Sequence, residues 1–206
     1  MNELTDIQHA AVTEMLNIAI GRAAAALNEL VDEEVTLSVP RVDFISREKA
    51  ASMIDLRAVS GACAVVQEFE GQFSGNALLI FPEAKSLALV RKMIRDQIPL
   101  EAMTELEQEA LTEVGNIVLN ASLGTIANLL EMEFQSSLPS FLKGTGRAIL
   151  CGPDGQVSPS DLALLVEVDF QLEESDISGY VLFLLDVASA RKFGALLDAY
   201  LAKMTG

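Results

Sequence analysis

The stretch LTDIQHAAVTEMLNIAIGRAAAALNELV (residues 4–31) returns in altered form as MTELEQEALTEVGNIVLNASLGTIANLLE (residues 103–131). Both are free of Pro, rich in Ala and Leu, and opened by a Thr followed by acidic residues, which is N-cap chemistry. They superpose at an offset of 99 positions, laying Glu14 on Glu113, Asn17 on Asn116 and Pro40 on Pro139. At ordinary residue frequencies the chance of Glu, Asn and Pro at three prescribed positions is of order 10⁻⁴, which favours a duplicated unit over coincidence.

Projection at the helical period assigns the faces. In the first helix Val12, Leu16, Ala19, Ile20, Ala23, Leu27 and Leu30 form an apolar stripe; in the second the same places hold Leu111, Gly115, Val118, Leu119, Ser122, Ile126 and Leu129. A second stripe, expected to lie away from the core, carries Ala10, Glu14, Asn17, Gly21, Ala24 and Asn28. Its counterpart carries Glu109, Glu113, Asn116, Asn120, Leu123 and Ala127. Each Glu and Asn, three residues apart, therefore projects together. Asn is a mediocre helix former, so its place in mid-helix invites a reason.

After each helix comes a short extended piece expected to end at a proline, VTLSVP (35–40) and FQSSLP (134–139). Residues 44–56 read as a short helix, and 140–161 as loops with a short strand. Strand pairs follow at about 62–70 with 73–81 and at 162–171 with 177–185, then closing helices at 83–95 and 187–204. Residues 95–103, with Pro99, read as a brief connection. The fold expected is one α/β two-layer (α+β) domain over 1–206, made of two repeats (about 1–100 and 101–206). Two long helices pack on a continuous, mainly antiparallel sheet with pseudo-twofold symmetry.

Composition narrows the function classes. The chain has 206 residues and is 50% hydrophobic, enough for a sizeable core and too apolar for disorder. A net charge of −16 argues against a nucleic-acid interface or an anionic membrane surface. The longest apolar run, Tyr180 to Leu185, falls far short of the roughly 20 residues of a membrane span, and nothing in the first residues reads as a secretory signal, so none is expected. Membrane insertion is therefore not expected, and a cytoplasmic location is. Cys63 and Cys151, far apart, read as reduced buried thiols. With His9 as the single histidine, neither a zinc site nor a Ser-His-Asp system is expected.

The pattern Glu14-x2-Asn17-x22-Pro40, repeated as Glu113-x2-Asn116-x22-Pro139, resembles the signature of the CheC, CheX and FliY phosphatases of bacterial chemotaxis. The likeness covers nearly the whole chain, and two copies resemble CheC more than CheX. At the leading position, where the family pattern has Asp or Ser, stand Ala10 and Glu109. Val114-Gly115 gives the second copy the more typical form. The resemblance implies a duplicated α-β-X-β-β fold. It also implies hydrolysis of the phosphoaspartate of a phosphorylated CheY-like receiver. Asn17 and Asn116 would orient the attacking water, while Glu14 and Glu113 would dock the receiver's active-site Lys. No cofactor of the chain's own is implied, because Mg²⁺ is expected in the partner receiver.

The competing reading is a non-enzymatic adaptor that binds the receptor deamidase CheD or a receiver and regulates adaptation. A flagellar switch component is disfavoured, since its additional motor domain and regulator-binding peptide are expected to find no room here. If both Asn residues served only helix–helix contacts, they would be buried.

Overall fold

The computed structural model describes residues 4–30, 35–94, 105–152, 162–172 and 175–205. Its elements in chain order are α1 (Asp6–Leu30), β1 (Val35–Ser46), α2 (Arg47–Arg57), β2 (Ala62–Glu70), β3 (Gly75–Pro82) and α3 (Glu83–Ile94). There follow α4 (Glu105–Leu129), β4 (Gln135–Ser136), β5 (Ser140–Gly144), α5 (Gly146–Cys151), β6 (Leu162–Leu172), β7 (Ser175–Leu185) and α6 (Val187–Thr205). The fold is α+β, with long helices on an antiparallel sheet, as expected. The connection read at 95–103 and the second half of the 140–161 stretch lie outside the described residues.

The sheet runs β1-β6-β7-β3-β2-β4, with β5 also on β2, and every pairing is antiparallel. The outer strands are traded between halves: β1 pairs with the β6–β7 hairpin, and β4 and β5 pair with the β2–β3 hairpin. At the centre Leu79 faces Val181. One strand outward on either side stand Val65 and Val166. One strand further stand Phe141 and Val42, 99 positions apart like the helices.

Pro40 does not end its strand. β1 continues to Ser46, its register slipping between Ser38 and Arg41. A proline has no N–H for the ladder, and an irregularity on an edge strand is where that loss is tolerated. Pro139 falls in the gap between β4 and β5, so the same residue type bends one edge strand and divides the other.

The sheet is covered on both faces. On one, Val65, Phe69, Leu79, Phe81, Val166, Phe170 and Phe183 pack against the long helices. Val12, Leu16, Ala19, Ile20, Ala23 and Leu27 of α1 are all buried there, as are Leu111, Gly115, Val118, Leu119, Ser122 and Ile126 of α4. On the other face Ala62, Ala64, Leu78, Ile80, Leu165 and Leu182 meet the short helices α2 and α5. The small residues Ala50 and Ala51 allow that approach, and the Asp55 carboxylate accepts from the Gly146 amide at 2.5 Å, tying α2 to the start of α5. The helix expected at 44–56 is α2. The region read as loops with a short strand also contains α5.

By length and mean hydropathy α1 is the helix among the described residues that passes for a membrane span. Val12, Met15, Leu16, Ile20 and Leu27, however, form a buried stripe that faces the core, while Glu14, Asn17 and Arg22 lie on its exposed side. An apolar stripe opposite a polar one is the pattern of a helix lying on a core.

Candidate functional site

The first Glu/Asn pair sits on a well-anchored helix. Thr5 and Gln8 form a reciprocal cap, the Thr5 hydroxyl accepting from the Gln8 amide at 3.3 Å and Gln8 Oε1 accepting from the Thr5 amide at 2.9 Å. The equivalent Thr104 lies outside the described residues. His9 Nε2 lies 2.8 Å from the Val42 carbonyl, fastening α1 to β1. Glu14 and Asn17 are exposed, and neither has a hydrogen-bond partner among the described residues. Around them Ala10 and Gly21 are exposed too, and a Cβ added at Gly21 would meet nothing within 4 Å.

The second pair sits on a helix held tightly against the sheet. A Cβ built on Gly115 would fall 2.4 Å from Val65 Cβ, so only a glycine lets α4 come this close to β2. The matching position on α1 is the buried Leu16. Glu113 remains exposed, but Asn116 is half-buried. Its Oδ1 accepts from Asn120 Nδ2 at 2.7 Å. Asn120 Oδ1 accepts from Gln67 Nε2 at 3.2 Å, and the same nitrogen donates to the Ser137 carbonyl at 2.9 Å. Gln67, on β2, is only 3% exposed.

Beside this chain of amides, Glu105, Gln108, Glu109, Thr112, Glu113 and Phe141 line an open groove of about 390 Å³. Three carboxylates at successive helical turns repel one another on an isolated helix, and the arrangement suits a cationic group arriving from a partner. The same three positions on α1 are Asp6, Ala10 and Glu14, a weaker field.

The lower end of the α4 stripe departs from expectation. Leu123 and Ala127 are buried, not outward-facing. The chain after α4 turns back, and Phe134 packs with Leu123 beside an apolar cluster that includes Phe73 and Phe193. The reading with both Asn residues buried also fails, since Asn17 is exposed and Asn116 half-buried. Sequence reasoning assigned no part to Gln67, Asn120 or Ser137. Two signals were available: a second Asn four residues after Asn116, and Gln67 as the polar residue on a strand face that otherwise holds Cys63, Val65 and Phe69.

Elsewhere, Cys63 and Cys151 are free and buried, and burial pushes both thiols up, so neither is poised as a nucleophile. Among the described residues no group of three or more His, Cys, Asp or Glu is arranged to hold a metal ion.

The sequence matches the family described as chemotaxis phosphatase CheX over residues 63–157, a span that holds Gln67, Glu113, Asn116, Asn120 and Ser137. The CheY-P phosphatase CheC of Bacillus subtilis is 23% identical, covering 97% of this chain and 98% of its own. The flagellar motor switch phosphatase FliY of the same organism is also 23% identical over 86% of this chain, which spans 45% of FliY. Among solved structures, Thermotoga maritima FliY superposes with a TM-score of 0.75 at 20% identity, covering 96% of this chain and 98% of that one. CheX in its complex with CheY, BeF3 and Mg²⁺ from Borrelia burgdorferi gives 0.52 at 16% identity, covering 84% and 97%. At these identities the structural likeness speaks for the fold. Sequence and fold together bear out the resemblance to the CheC, CheX and FliY type.

Proposed function

We propose that this chain is a phosphatase that hydrolyses the phosphoaspartate of a CheY-like response regulator in cytoplasmic chemotaxis signalling. Supporting this reading is a half-buried carboxamide, Asn116, fixed by a neighbouring side chain and set one turn from the exposed carboxylate of Glu113. Phosphoryl transfer asks little covalent chemistry of a protein; it asks for a water in line with the leaving group and for positioned charge. Water oxygen bonds to phosphorus as the bond to the aspartyl oxygen breaks, releasing inorganic phosphate and the free carboxylate. Asn116 holds that water by hydrogen bonding and does not act as a base. Glu113 pairs with the receiver's active-site Lys, a charge-assisted contact that sets the docking register. Asn17 and Glu14 offer the same pair a second time, from the first of two repeats. Mg²⁺ belongs to the receiver. With a net charge of −16, long-range steering toward an acidic partner is poor, so recognition rests on local contacts.

The test follows loss of phosphate from a labelled receiver with and without the protein. The protein should speed that loss, and an Asn17→Ala, Asn116→Ala double variant should remove the gain while keeping its melting temperature. Unchanged hydrolysis in the double variant would refute water positioning. Binding of the receiver or of CheD without any acceleration would favour the adaptor instead.

A further inference from the structure

The orientation of the Asn116 carboxamide is dictated from outside its own helix. The Ser137 backbone carbonyl can only accept a hydrogen bond, and it accepts from Gln67 Nε2. Gln67 therefore presents its NH₂ to Asn120 Oδ1, which leaves Asn120 Nδ2 to face Asn116 Oδ1. Reversing any one amide forces the next to reverse, and the last reversal would set Gln67 Oε1 against a carbonyl oxygen. Burial of Gln67 leaves a mismatch there without water to repair it. The Oε1 of Gln67 is itself buried with no partner among the described residues. That is a cost the matching place on β6 avoids, where Val168 is fully buried.

We propose that Gln67 and Asn120 are positioning residues for the second site. They lock Asn116 with Nδ2 as its free end, so that it meets the attacking water as a hydrogen-bond donor. A water held through one lone pair has the other available for phosphorus. At the first site the corresponding positions are Gly21 on α1 and Val168 on β6, which carry no polar side-chain atom, and Asn17 is left to rotate. This inference rests on the phosphatase reading above.

The test uses the full chain carrying Asn120→Ala or Asn120→Asp. Asn120 is exposed, so neither change should alter the melting temperature. Both remove the donor, and the carboxylate also drives Asn116 to turn over and offer Oδ1 instead. Expected is a fall in kcat of about tenfold in each variant with KM for the receiver unchanged. The Asn116 side-chain NH₂ signals, assigned by their loss in Asn116→Ala, should shift in NMR spectra. Wild-type kcat in both variants overturns the positioning role, and unmoved Asn116 signals overturn the relay itself. An inactive wild-type chain refutes the phosphatase reading; the Asn116 signals then decide the relay alone.

Discussion

α1 and α4 are both 25 residues long and carry the same Glu/Asn pair, yet they hold it differently. α1 keeps Leu16 between itself and the core, and its Asn17 stands exposed beside Gly21. α4 has Gly115 at that place, sits hard against Val65, and has Asn120 and Gln67 to steady its Asn. A missing side chain at Gly115 and two added amides, Asn120 and Gln67, thus separate a loosely presented Asn from a steadied one. The comparison teaches that a motif copied in sequence is not copied in stiffness, because stiffness comes from neighbours the motif does not contain.

The largest way to break the comparison is to delete each amide in turn. Asn116→Ala should lower receiver dephosphorylation on the order of 10²-fold, with Asn17→Ala costing far less. The reverse ranking in the same assay would mean that the steadied site is not the active one. Next come the glycines. Gly115→Ala should destabilise by about 1–3 kcal/mol, since the added carbon collides with Val65. Gly21→Ala, into open space in mid-helix, should stabilise by up to ~1 kcal/mol. Urea midpoints of the two variants measure both signs at once.

The smallest effect sharpens the contrast between the closing helices. Asp186 caps α6, its Oδ1 accepting from the Ser189 amide at 2.6 Å, and that bond holds its carboxyl below the usual range. α3 instead follows Pro82 directly. A carboxyl with a lowered folded-state value adds stability above its unfolded value, near pH 4, and loses it as pH falls through the lowered one. Asp186→Ala should therefore cost about 1 kcal/mol at neutral pH and progressively less in acid. A melting-temperature difference from wild type that stays constant down to pH 2 would contradict this.

Much was legible locally. The Thr5 cap, the apolar stripes of both long helices and the strand pairs at 62–70 and 162–171 all follow from residue type and period. Pro40 departs from the expectation because a proline stops a central strand but not a bulged edge strand, and edge position is not a local property. Leu123 and Ala127 are buried against the helical projection, because projection carries no information about the chain that later folds back as Phe134. Of the site, the Glu and Asn were visible as mid-helix residues with a reason to be there, whereas their support was not.

The chain's own order of residues determined the two long helices, the side of each that faces inward, and the three-residue spacing of carboxylate and amide. Tertiary structure alone decided that outer strands are exchanged between hairpins and that α4 settles onto Val65. It also brought Gln67 within hydrogen-bond reach of Asn120, 53 positions further along the chain. The physical reason is range. Periodicity and capping act over one or two turns, while an amide buried against another strand's carbonyl answers to whichever segments the whole sheet has brought together.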